Sequence, residues 1–262
     1  MLFVSGNKYL DGVGFYQKEV KMARSSTFKW AGLDKSTIKS MLKPCRKLVV
    51  GQKLPVSEVQ KIFSQHIKAY LPVKVTSDKD FNTEPGLVYI GGFYHTDKDK
   101  YGQQSIELLF SYHPFDSHVI ITSQRFTAMA NTIADVLLHE IIHMRQARSR
   151  NFKTIPGFSS YAESNKQRKE QNYFGDPDEI DAYGFNIACE LYERLGSYDS
   201  VAKYLNTHLD NRRKKDSWFK YLTAFDHNHR HPVIQKLKKR VMYYVPYAEL
   251  GKPYKTTDWL KH

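Results

Sequence analysis

Apolar and polar positions change period several times along this chain, and each change predicts an element. Between residues 55 and 70, Val59, Ile62, Phe63, Ile67 and Tyr70 recur at three- and four-residue steps, the spacing of one helix face. Pro55 or Ser57 starts this helix and Leu71-Pro72 ends it. The period then drops to two in Val73–Thr76, Leu87–Ile90, Ile106–Tyr112 and His118–Thr122. These read as short strands separated by Gly, Asp, Asn and Pro, with Asp97–Gly102 as a hairpin tip. Helical spacing returns at Phe126, Met129, Ile133, Leu137, Ile141 and Met144, with Thr122 or Ser123 as the N-cap. Residues 151–175 are polar and predict a long loop. Asp176-Pro177-Asp178-Glu179 then opens a helix, with Asp at the N-cap and Pro at the first helical position. It runs through Ile180, Tyr183, Ile187, Leu191 and Leu195 to Gly196 as its C-terminal cap. Val201–Leu209, Ser217–Phe225 and His231–Tyr244 are further helical stretches.

A helix, then a mainly antiparallel sheet, then helices is the order of an α+β fold. We divide the chain into a basic N-terminal region (1–54), a core (55–200) and a basic helical C-terminal extension (201–262). The first region is broken by glycine and proline and reads as irregular, apart from a short helix at Ser36–Leu42. With 41% apolar and 14% aromatic residues the chain is globular rather than disordered or fibrous. No apolar run approaches the length of a membrane span, and Leu2-Phe3-Val4 is too short for a signal-peptide core. Two distant cysteines, Cys45 and Cys189, read as free thiols in a reducing compartment, so a cytoplasmic location is expected.

The net charge of +13 is unevenly spread. Residues 1–50 hold 10 Lys/Arg against 3 Asp/Glu, and residues 201–262 hold 14 against 5, while the middle is slightly acidic. Basic ends suit either an anionic partner such as nucleic acid or a solvated surface. Arg212, Arg213, Lys214 and Lys215 precede Trp218-Phe219-Lys220-Tyr221, a mixture that can contact phosphates and stack bases, or form a helix with a basic edge and an aromatic core edge. Lys236–Arg240 reads the same way.

The chemistry centres on His139-Glu140-Ile141-Ile142-His143. Two histidines four residues apart on a helix project from one face and can share one Zn²⁺, and Glu140 is placed to act as general base. Asn131 and Asp135 continue their stripe. A catalytic zinc needs a third protein ligand and an open position. Gln146 and Ser149 stand where a metzincin has Gly and His, and no histidine occurs between 143 and 208. The acidic candidates are Glu163, Glu170, Asp176, Asp178, Glu179 and Asp181. Glu179, in the first turn of a capped helix, is preferred and Asp178 is second. Asp176-x-x-Glu179 is also a capping-box arrangement, in which Glu179 would reach back to the N-cap amide. An oxyanion donor is sought among Tyr161, Tyr173, Tyr183, His227, His229 and His231.

His139–His143 followed by Glu179-Ile180-Asp181-Ala182-Tyr183 resembles the gluzincin branch of the zincin metallopeptidases. The resemblance covers roughly residues 55–195 and implies His139, His143 and Glu179 as zinc ligands and Glu140 as the base. It implies a zincin fold whose edge strand binds an extended peptide or protein substrate. Tyr183 stands where that pattern often has Asp or Asn to orient a ligand histidine, a role open here to Asp181 or Asp135. The competing class is a non-enzymatic, basic nucleic-acid-binding or assembly protein on the same scaffold.

Overall fold

Helix α4, Ser123–Ser149, is the element on which the rest is built. The computed structural model describes residues 33–116, 118–153, 165–207 and 216–249. Thr122 caps α4, its hydroxyl accepting from the Arg125 amide at 3.2 Å. From Ile133 to Met144 nearly every α4 side chain is buried, as expected of a helix surrounded by other elements rather than laid on a surface. A sheet covers one side of α4, and helices α1 (Lys35–Val49) and α6 (Pro177–Leu195) lie against others.

The architecture is mixed α+β and mostly helical. Strands β2 (Val73–Lys79), β3 (Val88–Tyr94) and β4 (Ile106–Tyr112) form a sheet in the order β2-β4-β3. β2 runs parallel to β4, and β3 antiparallel to it. The sheet is thus mixed, where a mainly antiparallel one was expected. Period-two patterns fix the buried face of a strand but not its neighbour, and here β4 inserts between β2 and β3. β5 (His118–Ile120) leaves this sheet and pairs antiparallel with β1 (Lys53–Pro55), a strand too short to show a period. Val73, Val75, Ile90, Ile106, Leu108 and Phe110 form the sheet's buried face.

α1 is longer than the expected Ser36–Leu42 segment, and this part of residues 1–54 is regular rather than irregular. Asp34 caps it through the Thr37 amide at 2.6 Å, and Ile38, Leu42, Cys45 and Val49 bury one stripe against α2 (Val56–Lys68) and α4. Pro44 lies inside the helix with its ring exposed, so it does not end the helix as proline punctuation suggests. The expected hairpin tip is a short helix, α3 (Thr96–Lys100). The Asp99 carboxylate there is buried and accepts from Arg148 and the Tyr94 hydroxyl. The expected loop 151–175 also contains a helix, α5 (Lys166–Gly175). Its first turns are almost wholly polar and carry no apolar period. Phe174 holds it in place, with its ring 4.4 Å from that of Tyr221.

Helices α7 (Tyr198–Asn206), α8 (Ser217–Ala224) and α9 (Pro232–Glu249) complete the described chain. α9 runs along α6, where a Cβ on Gly184 would sit 2.5 Å from Arg240 Cγ. Glycine in mid-helix costs roughly 1 kcal/mol, and here it permits the close crossing. Trp218, Phe219 and Tyr221 are core residues, so their rings are not available to stack on bases. Arg212, Arg213, Lys214 and Lys215 lie outside the described residues. Cys45 and Cys189 are free thiols. Among the described residues no helix is long and apolar enough to cross a membrane.

α8 also carries Lys220, whose ammonium burial pushes down to about 8 against the opposing pull of Glu190. Between pH 8 and the ordinary lysine value the unfolded chain binds more protons, so this group makes stability rise with pH across that window. Lys220→Met should remove the rise and stabilise the protein at pH 7 by roughly 2 kcal/mol. Denaturant melts of both proteins at pH 7 and pH 10 measure this.

Candidate metal centre

His139 and His143 project from the same face of α4, with their Nε2 atoms 3.0 Å apart. The N-terminus of α6 faces them. Asp176 caps α6 by accepting from the Asp178 amide at 2.8 Å, which leaves the Glu179 side chain free to turn toward α4. Glu179 Oε2 lies 3.3 Å from His139 Nε2, and Oε1 lies 3.4 Å from His143 Nε2. The capping-box alternative is therefore not adopted. An ion held tetrahedrally at zinc–ligand distances separates neighbouring ligand atoms by about 3.4 Å, and each imidazole stands about that far from one carboxylate oxygen, a different oxygen for each. His139, His143 and Glu179 form a group that can hold a metal ion. Glu179 is buried, and its carboxylate has the two imidazoles as its close polar neighbours.

The electrostatics agree. Burial pushes the His143 imidazole down, yet the Glu179 carboxylate, aided by Glu140, carries it up to about 10. Burial raises Glu179, but His143 and His139 hold it well below the carboxylate range. The point where the three side chains meet is one that favours positive charge.

Each imidazole has a polar neighbour behind it. His143 Nδ1 lies 2.9 Å from Gln146 Oε1, and Gln146 Nε2 donates to Asp181 Oδ2 at 3.1 Å. Behind His139 the nearest polar atom is the Asn186 Nδ2 donor, 3.4 Å from Nδ1, a contact that does not fix the metal-binding tautomer, and the Tyr183 ring stands edge-on to His139 at 4.7 Å. Tyr183 thus packs the imidazole, and Asp181 acts through Gln146. Asp135 turns away and pairs with Lys35 at 3.1 Å, because α1 brings a cation to that side of α4. His231, at the start of α9, packs on Phe225 at 4.4 Å, away from the site. Asp178 is engaged by Arg150, so it is not a ligand. Gln146 and Asn186 were not singled out from sequence. The available signal was spacing: three residues beyond His143 and seven beyond Glu179 are positions on the ligand faces of their helices.

Glu140 packs against β3 at Gly92 and borders the same cleft as His143 and Glu179. Burial pushes its carboxyl up, while His139, His143 and the Tyr94 amide oppose the rise. Strand and helix are pressed together here. A Cβ on Gly92 would lie 2.4 Å from Val136 Cγ1 and 2.9 Å from Glu140 Cγ. Gly92→Ala should push β3 from α4, displace the Glu140 carboxylate, destabilise the fold by about 1–3 kcal/mol and impair any reaction that uses Glu140. Denaturant melts and turnover measured on the same preparation separate the two effects.

Between β3 and α6 lies a cleft of about 140 Å³, bordered by Tyr94, Glu140, His143, Tyr173 and Glu179. Of the oxyanion candidates, Tyr173 borders this cleft. His227 and His229 pack on Phe219 and Trp218, and Tyr161, like Glu163, lies outside the described residues. No family model, curated protein or solved structure matches this chain. The chemistry is accordingly read from the site itself.

Proposed function

We propose that the protein is a zinc-dependent peptidase of zincin type, with His139, His143 and Glu179 as ligands and Glu140 as general base. The observation that carries this reading is the convergence of His139, His143 and Glu179, with the two imidazole Nε2 atoms 3.0 Å apart and each 3.3–3.4 Å from a different oxygen of the carboxylate, and with Glu140 in the same cleft. Two imidazoles and one carboxylate form the three-ligand set typical of catalytic zinc, whereas calcium and magnesium prefer all-oxygen sites. Zinc held there would supply Lewis acidity, polarising a carbonyl and acidifying water. Glu140 would take a proton from the attacking water and return it to the leaving amine, and burial moves its carboxyl toward the range in which both transfers are efficient. The Tyr94 amide holds that carboxylate in place. Among the described residues β3 pairs only with β4, and its other edge offers backbone groups to an extended peptide. Tyr173 is the candidate donor to the developing oxyanion.

The order of sheet, H-E-x-x-H helix and glutamate-bearing helix supports the resemblance to gluzincins. Where that pattern has Asp or Asn this chain has Tyr183, and Gln146 takes the orienting position behind His143. The test is cleavage of a diverse fluorogenic peptide pool by the full chain. Cleavage that a chelator abolishes and zinc restores supports the proposal. A zinc-loaded chain that cleaves nothing in the pool contradicts it.

A further inference from the structure

We infer that α9 is part of the mounting of the metal centre. Tyr244 and Arg240 hold Asp181, Asp181 orients Gln146, and Gln146 selects the tautomer in which His143 presents its Nε2 lone pair to an ion. The inference rests on the metal-binding reading of His139, His143 and Glu179.

A neutral imidazole carries its proton on one nitrogen, and only the other can bind a metal. His143 Nε2 faces Glu179, so a ligand His143 must keep its proton on Nδ1. That nitrogen lies 2.9 Å from the Gln146 amide, and an amide has one accepting end and one donating end. The donating end of Gln146 is committed elsewhere. Its Nε2 lies 3.1 Å from the Asp178 carbonyl oxygen and 3.1 Å from Asp181 Oδ2, both acceptors. Turning the amide over would set its oxygen against a carbonyl and a carboxylate. Oε1 therefore faces the imidazole and accepts from Nδ1–H.

Asp181 supplies half of that preference, and it is buried. Its other oxygen, Oδ1, accepts from the Tyr244 hydroxyl at 2.7 Å and from Arg240 Nε at 2.8 Å. Both groups belong to α9, and the close crossing at Gly184 seats Arg240 against α6. The path from α9 to the ligand is thus continuous: Tyr244 and Arg240 to Asp181, Asp181 to Gln146, Gln146 to His143. Tyr244 and Arg240 are positioning residues, since neither reaches the cleft.

The test uses the full chain with zinc as the probe. Tyr244→Phe removes the hydroxyl and keeps the ring, and Arg240→Gln removes the guanidinium, so a folding failure in one leaves the other. Affinity is read by competition with a chromophoric chelator, the ligand field from the visible spectrum of the cobalt(II) form, and fold integrity from the melting of the metal-free protein. Loss of a partner behind a ligand histidine weakens metal binding by about 10–100-fold. We expect each variant to bind zinc about tenfold more weakly with altered cobalt bands. We also expect Tyr244→Phe to cost little more in a Gln146→Met background, because both changes break one chain of contacts. A merely structural role predicts a lower metal-free melting point with zinc affinity and cobalt bands unchanged. Zinc affinity within twofold of wild type in the folded variants, or losses that add fully with Gln146→Met, overturns the inference. A wild-type chain that binds no zinc overturns the reading beneath it, and the inference with it.

Discussion

Glu140→Gln should lower peptide cleavage by about 10²–10⁴-fold while leaving zinc bound. The substitution keeps the side chain's length and shape, which matters because Glu140 is wedged against β3 at Gly92. An amide fits that space but cannot take up a proton. The residues that could hold the ion are His139, His143 and Glu179, so the substitution leaves that set untouched. Glu140→Asp is a useful companion. It keeps the carboxylate but withdraws it by one methylene, and should retain a small part of the activity. Turnover and zinc content measured on the same samples test the assignment. Activity of Glu140→Gln within tenfold of wild type would remove Glu140 from the base role.

Zinc should raise the melting temperature of the metal-free protein substantially. At a free concentration one hundred times the dissociation constant, binding to the folded chain alone adds about 2.7 kcal/mol. For a chain of this size that corresponds to roughly 5–10 °C. Glu179 is buried between the two imidazoles, so the stability of this cluster is sensitive to what binds it. His143→Ala removes one ligand and should abolish most of the shift. Melts in zinc-buffered solution provide the measurement, and equal shifts in wild type and His143→Ala would count against the site.

Both expectations depend on a part of the fold that was legible in the sequence. α4 and α6 have recurring apolar positions and well-formed caps, Thr122 and Asp176, and these local signals place H-E-x-x-H and Glu179 on helices. What the pattern did not show were long-range neighbours. β4 lies between β2 and β3 because of packing that a period of two does not encode. Asp135 shares the ligand stripe, yet Lys35 from α1 claims its carboxylate. α5 is polar along most of its length and is held by two aromatic residues near its end. Trp218 and Tyr221 follow a basic run but face the core, where Tyr221 meets Phe174 and Tyr183. Gln146 and Asn186 are ordinary polar residues until the ligands beside them are known. The supporting contacts of a site are harder to see in sequence than its ligands, because they draw on chain segments far apart.

The proposed function requires His139, His143 and Glu179 to close on one ion. Elemental analysis of the purified chain, after dialysis against zinc and removal of free metal, tests this most directly. We expect close to one zinc per wild-type chain and little in a folded Glu179→Ala variant. A wild-type chain without zinc, or a Glu179→Ala variant with the same content, would contradict it.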